Sequence, residues 1–264
     1  MTRREQWAKT AAPLLERALV LVYPRRCPLC GRMLGTPLLC ENCAPQAAKL
    51  EHKPPRLPPT EHALIALTGA ASAYYYSGAV RGAILLCKQH GRPWYARELA
   101  DLVAVRVFGA APPQAPGRRP GYQNASGIPL YSAIVPVPPR NGGAAPSLPL
   151  LLARRLGAVL DIPVCKALYT TRTMRPQKQL NRQQRMQNTH GAYAAVPGAD
   201  LTGQRILLVD DIITTGATVS ACAQALLQAG AFEVFAVSIA ADEERQGGTH
   251  TPPPRSPVPQ GDKT

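Results

Sequence analysis

Thirteen residues, Ile206-Leu207-Leu208-Val209-Asp210-Asp211-Ile212-Ile213-Thr214-Thr215-Gly216-Ala217-Thr218, constrain the fold of this chain more than any other stretch. Four branched or long apolar residues in a row suit a parallel strand covered on both faces. Two carboxylates end that strand, and a Thr/Gly loop leads into a helical pattern from Val219 to Ala229. Ala223, Leu226 and Leu227 give the helix an apolar face, Thr218 or Ser220 offers an N-cap, and Gly230 offers a stop. Phe232 to Ile239 reads as the next strand. Strand, loop, helix and strand make one right-handed βαβ unit. Ligands of such sheets bind beyond the carboxyl ends of the strands, where Asp210 to Thr218 falls. Carboxylates accept hydrogen bonds from vicinal hydroxyls, and a loop opening a helix offers N–H groups and a positive dipole end to a phosphate. A vicinal diol beside a phosphate describes a ribose 5-phosphate. The bland alternative is a corner with solvated carboxylates, for which six polar or glycine positions would have to coincide.

The segment resembles the phosphoribosyl pyrophosphate (PRPP) signature of the type I phosphoribosyltransferases: four apolar residues, two acidic, two apolar, then Thr-Thr-Gly-x-Thr. The resemblance implies that Asp210 and Asp211 contact the ribose hydroxyls, and that Thr214, Thr215, Gly216, Ala217 and Thr218 wrap the 5-phosphate. It implies an α/β fold, a mostly parallel sheet flanked by helices, and Mg²⁺ arriving with PRPP.

Four of the seven cysteines fall close together, as Cys27-x-x-Cys30 and Cys40-x-x-Cys43. Two such knuckles set four thiolates at the corners of a tetrahedron, the arrangement Zn²⁺ takes in structural sites. With no open coordination position, the metal would support the fold. Paired disulfides or metal-free thiols are the alternatives, and a reducing compartment disfavours the former. Gly31 and Gly35 allow tight turns, and Arg25, Arg26 and Arg32 offset thiolate charge. Cys87, Cys165 and Cys222 sit in apolar contexts and read as core thiols.

A Cys₄ element ahead of a PRPP signature resembles the ComF family, the competence-associated or GntX-like proteins related to phosphoribosyltransferases. Further blocks carry the resemblance. Tyr74-Tyr75-Tyr76-Ser77-Gly78 with Lys88 and Gly91-Arg92 is similar to the family's aromatic strand and Leu-Lys-x-x-Gly helix end. Ile134-Val135-Pro136-Val137-Pro138 is similar to its first core strand and pyrophosphate-side loop, which implies Pro136, Val137, Pro138 and Arg140 on that side. Gln177, Leu180, Arg185, Asn188 and Ala192-Tyr193 follow its Gln-x-x-Leu, Arg-x-x-Asn and Ala-Phe pattern. Residues 166–188 carry six basic side chains and no apolar period, as a loop closing over a substrate would. A solvated surface loop is the alternative. Arg185, Asn188 and Lys178 are the candidates there for a catalytic role. One departure stands out: after Arg140 the family's second Arg, aromatic residue and Asn/Asp-Gln pair give way to Asn141-Gly142-Gly143-Ala144-Ala145-Pro146-Ser147. The helix after it, Leu148 to Leu156, has Ser147 as a candidate cap.

The chain has 264 residues and a formal net charge of +14, with six basic and no acidic residues between 162 and 199. Such a surface favours polyanionic partners, either a pyrophosphate-bearing small molecule or nucleic acid. No segment is long and apolar enough to span a bilayer, and Glu16 and Arg17 interrupt a would-be signal sequence. The expected organisation is an amphipathic N-terminal helix (1–22), a Cys₄ zinc element (23–52), a Pro-rich linker (53–63), a phosphoribosyltransferase-like domain (64–241) and a disordered tail (242–264), in a soluble cytoplasmic protein. Residues 109–127 read as a Pro/Gly-rich insertion. Strands are expected near 131–137, 162–165, 191–196, 205–209 and 232–239, with a hood-side strand near 70–76. Three functions fit: transfer of a phosphoribosyl group to a nitrogen acceptor, PRPP or nucleotide binding without turnover, and a DNA-uptake role involving single-stranded DNA or DNA-processing proteins. Scarce aromatic platforms count against the last.

Overall fold

The computed structural model of the chain describes residues 25–35, 37–58, 64–89, 94–110, 130–140, 146–171 and 191–242. The N-terminal helix, most of the 109–127 insertion, and the tail beyond 242 lie outside these residues. In chain order the described elements are α1 (Ala44–Lys49), β1 (Gly69–Tyr75), α2 (Gly78–Gln89), α3 (Trp94–Phe108), β2 (Ala133–Pro136), α4 (Leu148–Leu160), β3 (Leu168–Thr170), β4 (Tyr193–Ala195), β5 (Arg205–Val209), β6 (Ile212–Ile213), α5 (Ala217–Gln228) and β7 (Glu233–Ala241).

The main sheet runs β1-β7-β5-β2, entirely parallel, with β6 adding to β7. Its centre is β5, whose Ile206 to Val209 are at most 1% exposed. The strand period of two explains why all four are apolar. Leu207 and Val209 join one core, shared with α3 and α4, while Ile206 and Leu208 join a second core on the α5 face. With helices on both faces, no position of β5 is left for a polar side chain until the chain leaves the sheet at Asp210.

Both sheet edges are covered. Residues 50–57, the start of the expected linker among them, run antiparallel along β1, with bridges Glu51↔Tyr74 and Arg56↔Ala71. Leu57 is 1% exposed and its N–H donates to the Ala70 carbonyl at 2.8 Å. This pairing satisfies an edge that would otherwise present free backbone groups. Glu51 pairs with Lys53 of its own segment and with Arg106, which holds the segment against α3. At the far edge, Ile134 N–H donates to Pro163 O (2.8 Å) and Cys165 N–H to Ile134 O (2.9 Å).

Three expected strands differ in detail. The 162–165 strand contracts to one parallel bridge, Ile134↔Val164. The 191–196 strand, expected in the parallel sheet, forms β4 of a separate antiparallel pair with β3. The strand near 70–76, expected on the hood side, is β1 of the parallel sheet, paired with β7.

Helix ends depart from side-chain capping. Ser147 does occupy the N-cap position of α4, yet makes no capping hydrogen bond, and Pro149 takes the first turn. The N-cap of α5 is Gly216 in a left-handed conformation (φ +79°), not Thr218 or Ser220, which lie inside the helix. Gly157 of α4 allows a close approach: a Cβ there would lie 2.7 Å from Val164 Cγ2 and 2.8 Å from the Ile162 carbonyl oxygen.

Candidate functional site

The acid pair is placed by β7 as well as by β5. Asp210 N–H donates to Val237 O at 3.0 Å, and the Asp211 carbonyl accepts from Ile239 N–H at 3.2 Å. The backbone is thus tied down at the sheet's carboxyl end while both side chains turn toward a cavity. They are 7% and 8% exposed. Asp210 Oδ1 accepts from the Asp211 N–H at 2.8 Å, and Asp211 Oδ2 pairs with Lys88 Nζ at 2.8 Å. Burial, and next the neighbouring Asp211 charge, raise the Asp210 carboxyl to about 7. The Asp211 N–H, Lys88 and Arg140 oppose that rise.

Residues 214–218 turn the chain from β6 into α5. Gly216 supplies the positive φ that a side chain disfavours, so the loop folds back with its backbone at the helix N-terminus. Thr215 Oγ1 accepts from Ala217 N–H at 3.4 Å.

The second wall continues from β2. Val137 N–H donates to Val209 O at 2.9 Å, extending the β2–β5 pairing, and Pro138 and Pro139 then stiffen the chain up to Arg140. Arg140 Nη2 donates to Thr218 Oγ1 at 3.1 Å, joining the two loops. Thr170 Oγ1 donates to Pro139 O at 2.9 Å, which fastens the β3–β4 pair over the same loop.

These elements enclose a cavity of about 510 Å³. Asp210, Asp211, Thr214, Gly216, Ala217 and Thr218 line it, as do Val137, Pro138 and Arg140. Thr215 and Pro136 do not line it, Pro136 being paired with Val209 inside the sheet. Lys178, Arg185, Asn188 and residues 141–145 lie outside the described residues.

Among the lining residues not singled out for the site from sequence, three carry reactive or polar groups of consequence: Lys88, Cys87 and Tyr193. Lys88 closes α2 and meets Asp211 from 123 positions away, which no local pattern reveals. Its visible signals are the match of Lys88 to a Leu-Lys-x-x-Gly helix end and its place as a basic residue after Ala83, Ile84, Leu85 and Leu86. Cys87 is a half-buried lining thiol pushed up to about 12, by burial first and Asp211 second. Cys165 is exposed, so of the three expected core thiols Cys222 alone is fully buried.

The four knuckle cysteines do converge. The Sγ atoms of Cys27, Cys30, Cys40 and Cys43 all lie within 4.8 Å of one another. A tetrahedral Zn²⁺ with Zn–S bonds of about 2.3 Å needs sulfurs a little under 4 Å apart, so the donor set fits that metal. Gly31 (φ +78°) makes the first knuckle turn, with its N–H donating to Cys27 O at 2.8 Å; Gly35 has no positive φ. Arg25 pairs with Glu98 of α3, and Arg26 donates to Gly31 O.

Among the described residues no helix is long and apolar enough to cross a membrane. No curated protein matches the chain significantly. The family model of the phosphoribosyl transferase domain matches residues 139–254, which hold the Arg140 end of one wall, the β3–β4 pair and the whole of Asp210 to Thr218. β1, α2, α3 and β2 lie before that match yet complete the same sheet and bring Lys88 to the cavity. The parallel sheet, its flanking helices and the acid pair at the end of β5 agree with this match, which makes residues 139–254 similar to a phosphoribosyl transferase domain.

Proposed function

We propose that the protein binds PRPP, or a related ribose 5-phosphate ligand, with Mg²⁺ and transfers the phosphoribosyl group to a nitrogen acceptor. The observation that carries this reading is the joint placement of Asp210, Asp211 and the 214–218 loop around one cavity at the sheet's carboxyl end. Asp210 and Asp211 accept hydrogen bonds from the ribose 2- and 3-hydroxyls. The N–H groups at the start of α5 and the Thr218 hydroxyl hold the 5-phosphate. Arg140 faces the diphosphate and stabilises its charge as it leaves.

In the reaction the acceptor nitrogen attacks C1 of the ribose. The bond from C1 to the diphosphate oxygen breaks, pyrophosphate leaves with the electron pair, and the acceptor's proton passes to solvent. These side chains supply position and charge, with no covalent step of their own. The carboxylates are hard oxygen donors suited to Mg²⁺, and since Lys88 already pairs with Asp211, the ion fits best when it arrives on the diphosphate. When bound, Mg²⁺ would neutralise diphosphate charge.

The Cys₄ element leads us to place the chain in the ComF family and to assign structural zinc to Cys27, Cys30, Cys40 and Cys43. A second reading, binding without turnover, is favoured by the sequence of 141–147, where the family's Arg, aromatic and Asn/Asp-Gln residues are missing. Following PRPP and pyrophosphate with Mg²⁺ and each common nucleobase separates the two. Acceptor-dependent pyrophosphate release supports transfer. Binding without release, abolished by Asp210→Asn with Asp211→Asn, supports the second reading.

A further inference from the structure

Tyr193 carries the chemical feature at the cavity that the site leaves unexplained. The residue lies on β4, is 5% exposed and lines the cavity together with Arg140, Asp210 and Thr218. Its hydroxyl is buried and finds no acceptor for its proton among the described residues; the polar group beside it, the Arg140 guanidinium, can only donate. Leaving such a group unsatisfied is costly, whereas a phenyl ring in its place would fill the same space at no polar cost.

We propose that the Tyr193 hydroxyl is a ligand contact, donating a hydrogen bond to a phosphate oxygen held beside Arg140. This inference rests on the ribose-phosphate reading of the cavity. The placement is set by the fold: Thr170 pairs with Tyr193 across the β3–β4 ladder, and the Thr170 hydroxyl bonds the Pro139 carbonyl next to Arg140. The phenol therefore reaches the cavity beside Arg140, whose guanidinium also donates to Thr218 at the start of α5. Arg140 donates only, so it cannot take the phenol's proton. A phosphate oxygen can, and it satisfies both groups at once. Burial raises the phenol's pKa, keeping it protonated and able to donate. The shared chemistry is a phosphate oxyanion, from either the 5-phosphate or the diphosphate.

The test is calorimetric titration of the full chain and its Tyr193→Phe variant, with Mg²⁺, using ribose 5-phosphate, inorganic pyrophosphate and PRPP as probes. The expected result is roughly 10-fold weaker binding of PRPP and of one of the two simpler probes, with an unchanged or higher Tm. The weakened simple probe tells which phosphate is contacted. Equal affinities in wild type and variant overturn the proposal alone. A Tm loss without an affinity loss assigns the hydroxyl a structural role and also overturns it. Wild type binding none of the probes overturns the ribose-phosphate reading and the proposal with it.

Discussion

Asp210 is the residue whose chemistry is most altered by its surroundings. Its folded pKa of about 7 stands above the ordinary carboxyl value of 3.8, so the folded state holds the proton more tightly than the unfolded chain does. Its contribution is therefore fully present below about pH 4 and is lost as pH rises toward 7. Asp210→Asn removes that dependence. Thermal melts should show the variant more stable than wild type at pH 8, with the gap closing by pH 4. A ribose diol prefers the ionised carboxylate, so affinity for PRPP should climb as pH rises and level off above about 7, as titration at several pH values would show. Lys88, paired with Asp211, and Arg140 are the two cations that oppose the rise among the described residues. Lys88→Met takes away charge that favours ionisation and should move the midpoint of that affinity curve to higher pH. An unmoved midpoint would mean that Lys88 plays no part in tuning the pair.

Elements were legible in the sequence to the degree that their own residues decide them. β5 is found at its expected limits, 205–209, because burial on both faces writes an unbroken apolar run. The position of the 214–218 turn was legible, but its geometry was not: the helix starts after Gly216, two residues before the earlier of the two expected caps. β4 was placed in the wrong sheet: three residues, Tyr193 to Ala195, carry no pattern that names their partner, and Leu168–Thr170 gave no separate signal. The 162–165 strand shrank because α4 packs against that edge through Gly157, leaving Val164 alone to pair. Gly157→Ala should cost about 1–3 kcal/mol, since the added methyl meets backbone at Ile162 that has no room to yield. Urea denaturation measures this directly, and a loss below about 0.5 kcal/mol would mean that the α4 edge is slack.

At the scale of the molecule, the Cys₄ element and the sheet share one core. Cys27, Leu39, Cys40, Cys43 and Ala47 cluster with Ile84, Leu99 and Tyr74, and the Arg25–Glu98 ion pair clamps the same junction. α2, whose end carries Lys88, packs in that core too. Metal loss should therefore reach the cavity through α2. Cys40→Ser, or chelation, should lower Tm by several degrees and weaken PRPP binding, with about one zinc per chain found by metal analysis of the wild type. The sequence revealed both the Cys₄ cluster and the acid pair but not this link, which depends on contacts between segments far apart in the chain. The central claim is that Asp210, Asp211 and the 214–218 loop form a ribose-phosphate cradle. Calorimetric titration of PRPP with Mg²⁺ into the full chain tests it most directly. The titration should show one site per chain, weakened at least about 100-fold when Asp210→Asn and Asp211→Asn are combined. Absence of binding to the folded wild type, or binding that the double variant keeps, would contradict it.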